Sequence, residues 1–213
     1  IWYNVNYEAK NKFNRSKPVN KEVIIVAGAN GSGKTTFARS FESQYPFKFI
    51  NADEIAKKIA PGNIDRVKVR AGKEFFQQIN ACMETGENFI LESTLSGRSL
   101  AGMVRRLKEK EYFIKIAYIF LEKPDLCIER IKERVLKGGH FVPDEDVIRR
   151  FHRSKKNFWN VYRKLADEWY LVYNSQQQFV EIAIGSLDNY TINDKNFFLE
   201  FIKGIKEDNS GSR

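Results

Sequence analysis

The sequence predicts an α/β fold built on a doubly wound, mostly parallel sheet. Three observations lead there. Short apolar runs alternate with helical periods along the chain. The first run, Val23-Ile24-Ile25-Val26-Ala27, is β-branched and continuously apolar, as a strand buried on both faces must be. It stops at Gly28 in a glycine-rich turn that leads directly into a helical pattern.

The other elements follow in order. Residues 34–43 read as a helix and 47–51 as a second strand. Residues 53–60 are helical and are stopped by Pro61-Gly62. Apolar residues recur at Ile64, Val67, Ala71, Phe75, Ile79 and Met83, a helical period ended by Gly86. A third strand spans 88–91, a helix 98–110 and a long fourth strand 113–121. Pro124 suits the first turn of the next helix, and Gly138-Gly139 stops it. Residues 144–168 read as one long helix, 170–173 and 179–184 as the last strands, and 194–206 as a closing amphipathic helix. The domain is expected at 21–207, preceded by an arm at 1–20 and followed by a disordered tail at 208–213.

The chain has 213 residues, enough for one domain with a full core. It is 42% hydrophobic and 30% charged, and no apolar run reaches membrane-spanning length. Residues 1–20 contain no signal-peptide core. The two cysteines, Cys82 and Cys127, sit at apolar helical positions and read as reduced core thiols, so the expected compartment is the cytoplasm. A net charge of +9 favours anionic ligands without choosing among them.

Gly28-Ala29-Asn30-Gly31-Ser32-Gly33-Lys34-Thr35 fits G-x-x-x-x-G-K-[ST], with a strand before it and a helix after it. Glycines let the backbone curl so that successive N–H groups face one anion, and the helix N-terminus adds its positive dipole end. Lys34 is expected to reach the β- and γ-phosphates of ATP or GTP, and the Thr35 hydroxyl to bind Mg²⁺, with Thr36 completing the loop.

Two acids stand at strand ends: Asp53 after the second strand and Glu92 after the third. In a parallel sheet both reach the carboxyl edge, where ligands bind. There an acid can take the proton of an attacking hydroxyl, which fits phosphotransfer and a fold of the P-loop kinase type. For Asp53 the alternative is a helix N-cap, and for Glu92 a structural acid. The fourth strand ends in Leu121-Glu122-Lys123-Pro124, and Asp125 reads as a helix-start residue. A lid is expected around 134–157: Arg134 and Arg150 carry charge suited to a phosphoryl group, Arg150, Arg153 and Asn157 share one helical face, and the double glycine provides a hinge. His140 reads as a loop hydrogen-bonding residue, and nothing has zinc-ligand spacing.

The phosphate loop, Asn51-Ala52-Asp53-Glu54-Ile55, Glu92-Ser93-Thr94-Leu95-Ser96-Gly97, Gly138-Gly139-His140-Phe141-Val142-Pro143 and the arginine run through Asn157 together resemble the chromosomal, zeta-toxin-like branch of P-loop kinases, over residues 22–176. The resemblance implies an ATP- and Mg²⁺-dependent kinase acting on a hydroxyl of UDP-N-acetylglucosamine, and a protein antitoxin as partner. It implies Asp53 as base, Asn51, Glu92, Thr94, Ser96 and Arg153 toward the substrate, and Arg134 and Arg150 near the phosphates. Two departures stand out: the branch often ends its fifth strand in Asp-Asn-Ser, where this chain has Tyr173-Asn174-Ser175, and the Asn51-Ala52-Asp53-Glu54-Ile55 segment differs from that of the plasmid-encoded toxins, which leaves another nucleotide or a small molecule with a free hydroxyl open as acceptor. Two other readings stand beside this one. One is a 5′-hydroxyl kinase of nucleic acid, which the positive charge suits although no RNA-binding module is recognisable. The other is a nucleotide-binding interaction partner without turnover.

Overall fold

The computed structural model describes residues 21–42, 46–61, 63–175 and 178–205, so the arm at 1–20 and the tail at 208–213 lie outside the described residues. The strands are β1 (Glu22–Ala27), β2 (Lys48–Asn51), β3 (Phe89–Ser93), β4 (Phe113–Phe120), β5 (Glu168–Asn174), β6 (Phe179–Ser186) and β7 (Asn189–Ile192). They form one seven-stranded sheet in the order β2-β3-β1-β4-β5-β6-β7. The pairs β2–β3, β3–β1, β1–β4 and β4–β5 are parallel, while β6 and β7 extend the sheet antiparallel. The predicted α/β class with a mostly parallel sheet therefore holds.

The helices are α1 (Lys34–Glu42), α2 (Ala52–Ile59), α3 (Ile64–Thr85), α4 (Ser99–Glu109), α5 (Pro124–Leu136), α6 (Asp144–Asn157) and α7 (Lys195–Ile202). Alternate β1 residues face opposite ways. Val23, Ile25 and Ala27 join the larger core cluster, with α3, α4 and α7. Ile24 and Val26 pack on the other face with Phe37 and Ala38 of α1. A third cluster, from α5 and α6, is built around Cys127, Ile131, Val147 and Phe151 and includes Ala29 of the glycine-rich turn. The α5–α6 pair is thereby docked on that turn. Both thiols are buried and unpaired with each other, and burial pushes the Cys127 thiol up to about 12.

Two elements differ from the sequence-based expectation. The helix expected over 144–168 leaves α geometry at Asn157 and passes through a π-helical turn, Phe158–Tyr162. This turn sends Phe158, Trp159 and Tyr162 into an aromatic core, where Phe158 stacks on Tyr118 at 4.4 Å and Trp159 meets Trp169 edge-on at 5.9 Å. Strand β7 is an element the sequence pattern does not show. Its four residues are all exposed, so it carries no buried periodicity.

Candidate functional site

Strand β1 lies between β3 and β4, and its C-terminal end opens into the phosphate loop. Gly28 has φ +142°, and a Cβ there would lie 2.2 Å from the carbonyl oxygen of Ile119, so the loop leaves the sheet through a gap that only glycine fits. Lys34 begins α1 and is 6% exposed. Its ammonium donates to the Ala29 carbonyl at 2.8 Å and stands 3.9 Å from Glu92 Oε1. Burial lowers the Lys34 pKa, and the nearby charges of Glu92 and Asp53 oppose that shift. Burial likewise raises that of Glu92 against the pull of Lys34 and hydrogen bonds from Thr35 and Asn51.

Glu92 is the hub of this edge. Its Oε1 accepts from the Thr35 hydroxyl at 3.2 Å and its Oε2 from the Asn51 side-chain amide at 2.8 Å. The sheet register brings the second pair of side chains within reach, because Asn51 and Glu92 are directly paired between β2 and β3. Asn51 also ends β2 and caps α2: its Oδ1 accepts from the backbone N–H of Asp53 at 2.7 Å and of Glu54 at 3.1 Å. The N-cap is therefore Asn51, which corrects the alternative reading of Asp53 as the cap. Asp53 stands in the first turn of α2 with its side chain exposed, close enough to Lys34 and Glu92 to influence both electrostatically.

On the other side stands the α5–α6 hairpin. Arg134, in the last turn of α5, donates to the His140 carbonyl at 2.5 Å and is near enough to repel the Lys34 ammonium. Gly139 lies against the Arg134 side chain, where a Cβ would come within 2.4 Å of it. Arg150 of α6 reaches the loop itself, donating to Asn30 Oδ1 at 3.3 Å while held by Asp146 at 3.2 Å. Arg153 is exposed on the same helix.

The family profile described as AAA domain matches residues 23–158, more than half of the chain. The chain belongs to the AAA domain family. This AAA domain is 34% identical over 128 residues to an uncharacterized protein of Haemophilus influenzae, an alignment covering 60% of this chain and 90% of the relative. Its fold is similar to that of a chain from the PezAT chromosomal toxin–antitoxin system of Streptococcus pneumoniae, with TM-score 0.62, 17% identity, and coverage of 94% of this chain and 87% of that one. The zeta-toxin-like resemblance read from the sequence thus holds at the level of the fold. A chain of the Pnkp1/Rnl/Hen1 RNA repair complex aligns with TM-score 0.54 and 25% identity, over 67% of this chain and 46% of that one.

The loop after β3 completes the edge. The Thr94 and Ser96 hydroxyls are hydrogen-bonded to each other at 2.9 Å and are half-buried. Three side chains from α6 and the π-helical turn hold the loop by its carbonyls: Ser154 donates to Thr94, Asn157 to Leu95 at 2.8 Å, and Tyr162 to Gly97 at 2.8 Å. Leu95 has φ +50°, a conformation that needs such external bracing.

The structure brings Lys34, Thr35, Asn51, Asp53 and Glu92 together, with Arg134 and Arg150 adjoining them. Asn51 is buried, with both ends of its amide engaged inside the protein. Asn157 does not share an outward face with Arg150 and Arg153. It is buried and anchors the Leu95 carbonyl. Replacing Asn157 by Ala strips that buried carbonyl of its donor. The expected loss is about 1–3 kcal/mol of stability, read from denaturant unfolding.

Sequence reasoning missed Asn174 and Arg130. Asn174 donates to the Ser32 carbonyl at 2.7 Å, and Arg130 donates to the Asn174 carbonyl at 3.3 Å. No local sequence feature marks this pairing: the neighbouring Tyr173 is engaged elsewhere, its hydroxyl donating to Glu122 at 2.5 Å and its ring stacking on Phe197 at 4.1 Å. Among the described residues no helix is long and apolar enough to cross a membrane.

Proposed function

We propose that this AAA domain is a kinase that transfers the γ-phosphoryl group of ATP to a hydroxyl of a small molecule, with UDP-N-acetylglucosamine as the foremost acceptor. The observation that carries this reading is the convergence of Lys34, Thr35, Asp53 and Glu92 at one sheet edge, with Arg134 and Arg150 facing them. The choice of acceptor rests on the motif resemblance through Thr94 and Ser96.

In this reading the loop N–H groups and Lys34 hold the β- and γ-phosphates. Asp53 takes the proton of the acceptor hydroxyl as its oxygen attacks the γ-phosphorus. The bond from that phosphorus to the β,γ-bridging oxygen breaks, and ADP leaves. Thr35 and Glu92 form an oxygen donor set suited to Mg²⁺, directly or through water, which when bound neutralises phosphate charge. Among the described residues no group of three or more His, Cys, Asp and Glu could hold a metal alone, so the ion would take most of its ligands from nucleotide and water. A cytoplasmic location and an antitoxin covering the nucleotide site belong to the same reading.

Arg134 and Arg150 are then expected to meet charge developing on the phosphoryl group. Replacing either by Ala should lower kcat about 10-fold while leaving the acceptor KM nearly unchanged. Lys should restore part of the loss, because a point charge lacks the guanidinium fork. Unchanged kcat in both Ala variants would return these residues to a solvated basic face.

The acceptor is found by incubating the protein with ATP, Mg²⁺ and a mixture of nucleotide sugars, and detecting the phosphorylated product by mass spectrometry. A second reading, phosphorylation of a nucleic-acid 5′-hydroxyl, is favoured by the net charge of +9 and by the likeness to a chain of an RNA repair complex. A 5′-hydroxyl oligonucleotide in a parallel reaction tests it, and its binding should weaken steeply with salt.

A further inference from the structure

We infer that Asn174, the last residue of β5, is a positioning residue that aims the phosphate loop at its anion. The inference rests on the phosphate-loop reading above. A loop that turns successive N–H groups inward must turn carbonyls outward, and an outward carbonyl buried in protein needs a donor. Ser32 is fully buried, and its carbonyl finds that donor in Asn174 Nδ2 at 2.7 Å.

The geometry makes this contact act on the ligand side. The peptide joining Ser32 to Gly33 is trans and planar, so its C=O and N–H point in opposite directions. Holding the Ser32 oxygen toward β5 therefore holds the Gly33 N–H toward the inside of the loop. Gly33 has φ +96°, and a Cβ on it would sit 2.2 Å from the same Asn174 nitrogen, so the amide also closes the space behind the loop. Arg130 of α5 donates to the Asn174 carbonyl at 3.3 Å. One residue thus joins β5, the phosphate loop and the helix that carries Arg134. Two residues from the loop sequence, Ser32 and Gly33, are involved, yet their partner is 142 positions away from Ser32.

The test uses a non-hydrolysable ATP analogue with Mg²⁺, its affinity measured by calorimetry on the wild type, Asn174→Ala and Asn174→Asp, with melting curves on the same preparations. Alanine removes the donor, so the analogue should bind about 10-fold more weakly, the loss of one hydrogen bond to a charged site. Aspartate keeps the shape but turns an acceptor toward the Ser32 oxygen, so it should bind more weakly than the alanine variant. It also decides the matter if the alanine variant fails to fold. A merely structural role would lower the melting temperature of the free protein. A positioning role instead shrinks the rise in melting temperature that saturating analogue produces. A folded Asn174→Asp protein that binds within twofold of wild type overturns the inference alone. A wild type that binds no analogue overturns both the inference and the phosphate-loop reading beneath it.

Discussion

Asp53→Asn should abolish most phosphotransfer while leaving the protein folded and able to bind ATP. The expected fall in rate is roughly 10²- to 10⁴-fold, the range for loss of a general base. The structure sharpens this expectation, because the cap of α2 is supplied by the Asn51 side chain and not by Asp53. Asp53 contributes its charge in the first helical turn, where a carboxylate favours the N-terminal end of the helix dipole. The substitution removes that charge, no cap and no buried contact, so stability should stay within about 1 kcal/mol of wild type. Rate, ATP affinity and melting temperature measured on one preparation decide the point. A normal rate would move the base to Glu92, the next acid at this edge. That residue fits the role less well: its side chain is only 9% exposed, and its two oxygens are already committed to Thr35 and Asn51.

Lys34→Ala should cost roughly 10²- to 10³-fold in rate, the effect of deleting a preorganised electrostatic stabiliser. The backbone N–H groups remain, so nucleotide should still bind, more weakly. A second consequence is local to Glu92. Burial raises its pKa, and Lys34 is the first influence opposing that rise. Without the ammonium the carboxyl moves further up, so in the variant a carbon-13-labelled Glu92 carboxyl should titrate at a higher pH than in wild type. Normal turnover by a purified Lys34→Ala protein would remove the phosphate-loop assignment.

The parts of this site that could be read in the sequence are those where chemistry and element type constrain each other locally. The phosphate loop is one continuous segment between a strand and a helix. Asp53 and Glu92 could be placed because strands of a parallel sheet all end at the same edge, wherever they fall in the order. The fold class followed from the same alternation. What escaped was whatever depends on a partner far along the chain. Asn and Asp are comparable caps, so Asn51 and Asp53 could not be separated by propensity alone. Their division of labour comes from the β2–β3 register, which puts Asn51 opposite Glu92. Asn157 falls on the same side of the helical wheel as Arg150 and Arg153, but the π-helical turn after it and the loop at Leu95 draw it into the interior. Asn174 lies at the end of an ordinary strand, and nothing in its neighbours points to Ser32.

In the proposed reaction the γ-phosphoryl group goes to an alcohol and not to water. The most direct measurement follows the label from γ-labelled ATP incubated with the protein, Mg²⁺ and a bacterial metabolite extract, separating organic phosphate esters from inorganic phosphate. The expected result is label in an acid-stable phosphate ester, formed by wild type and lost with Asp53→Asn. Label found solely as inorganic phosphate, or left wholly in ATP that the protein demonstrably binds, would contradict it.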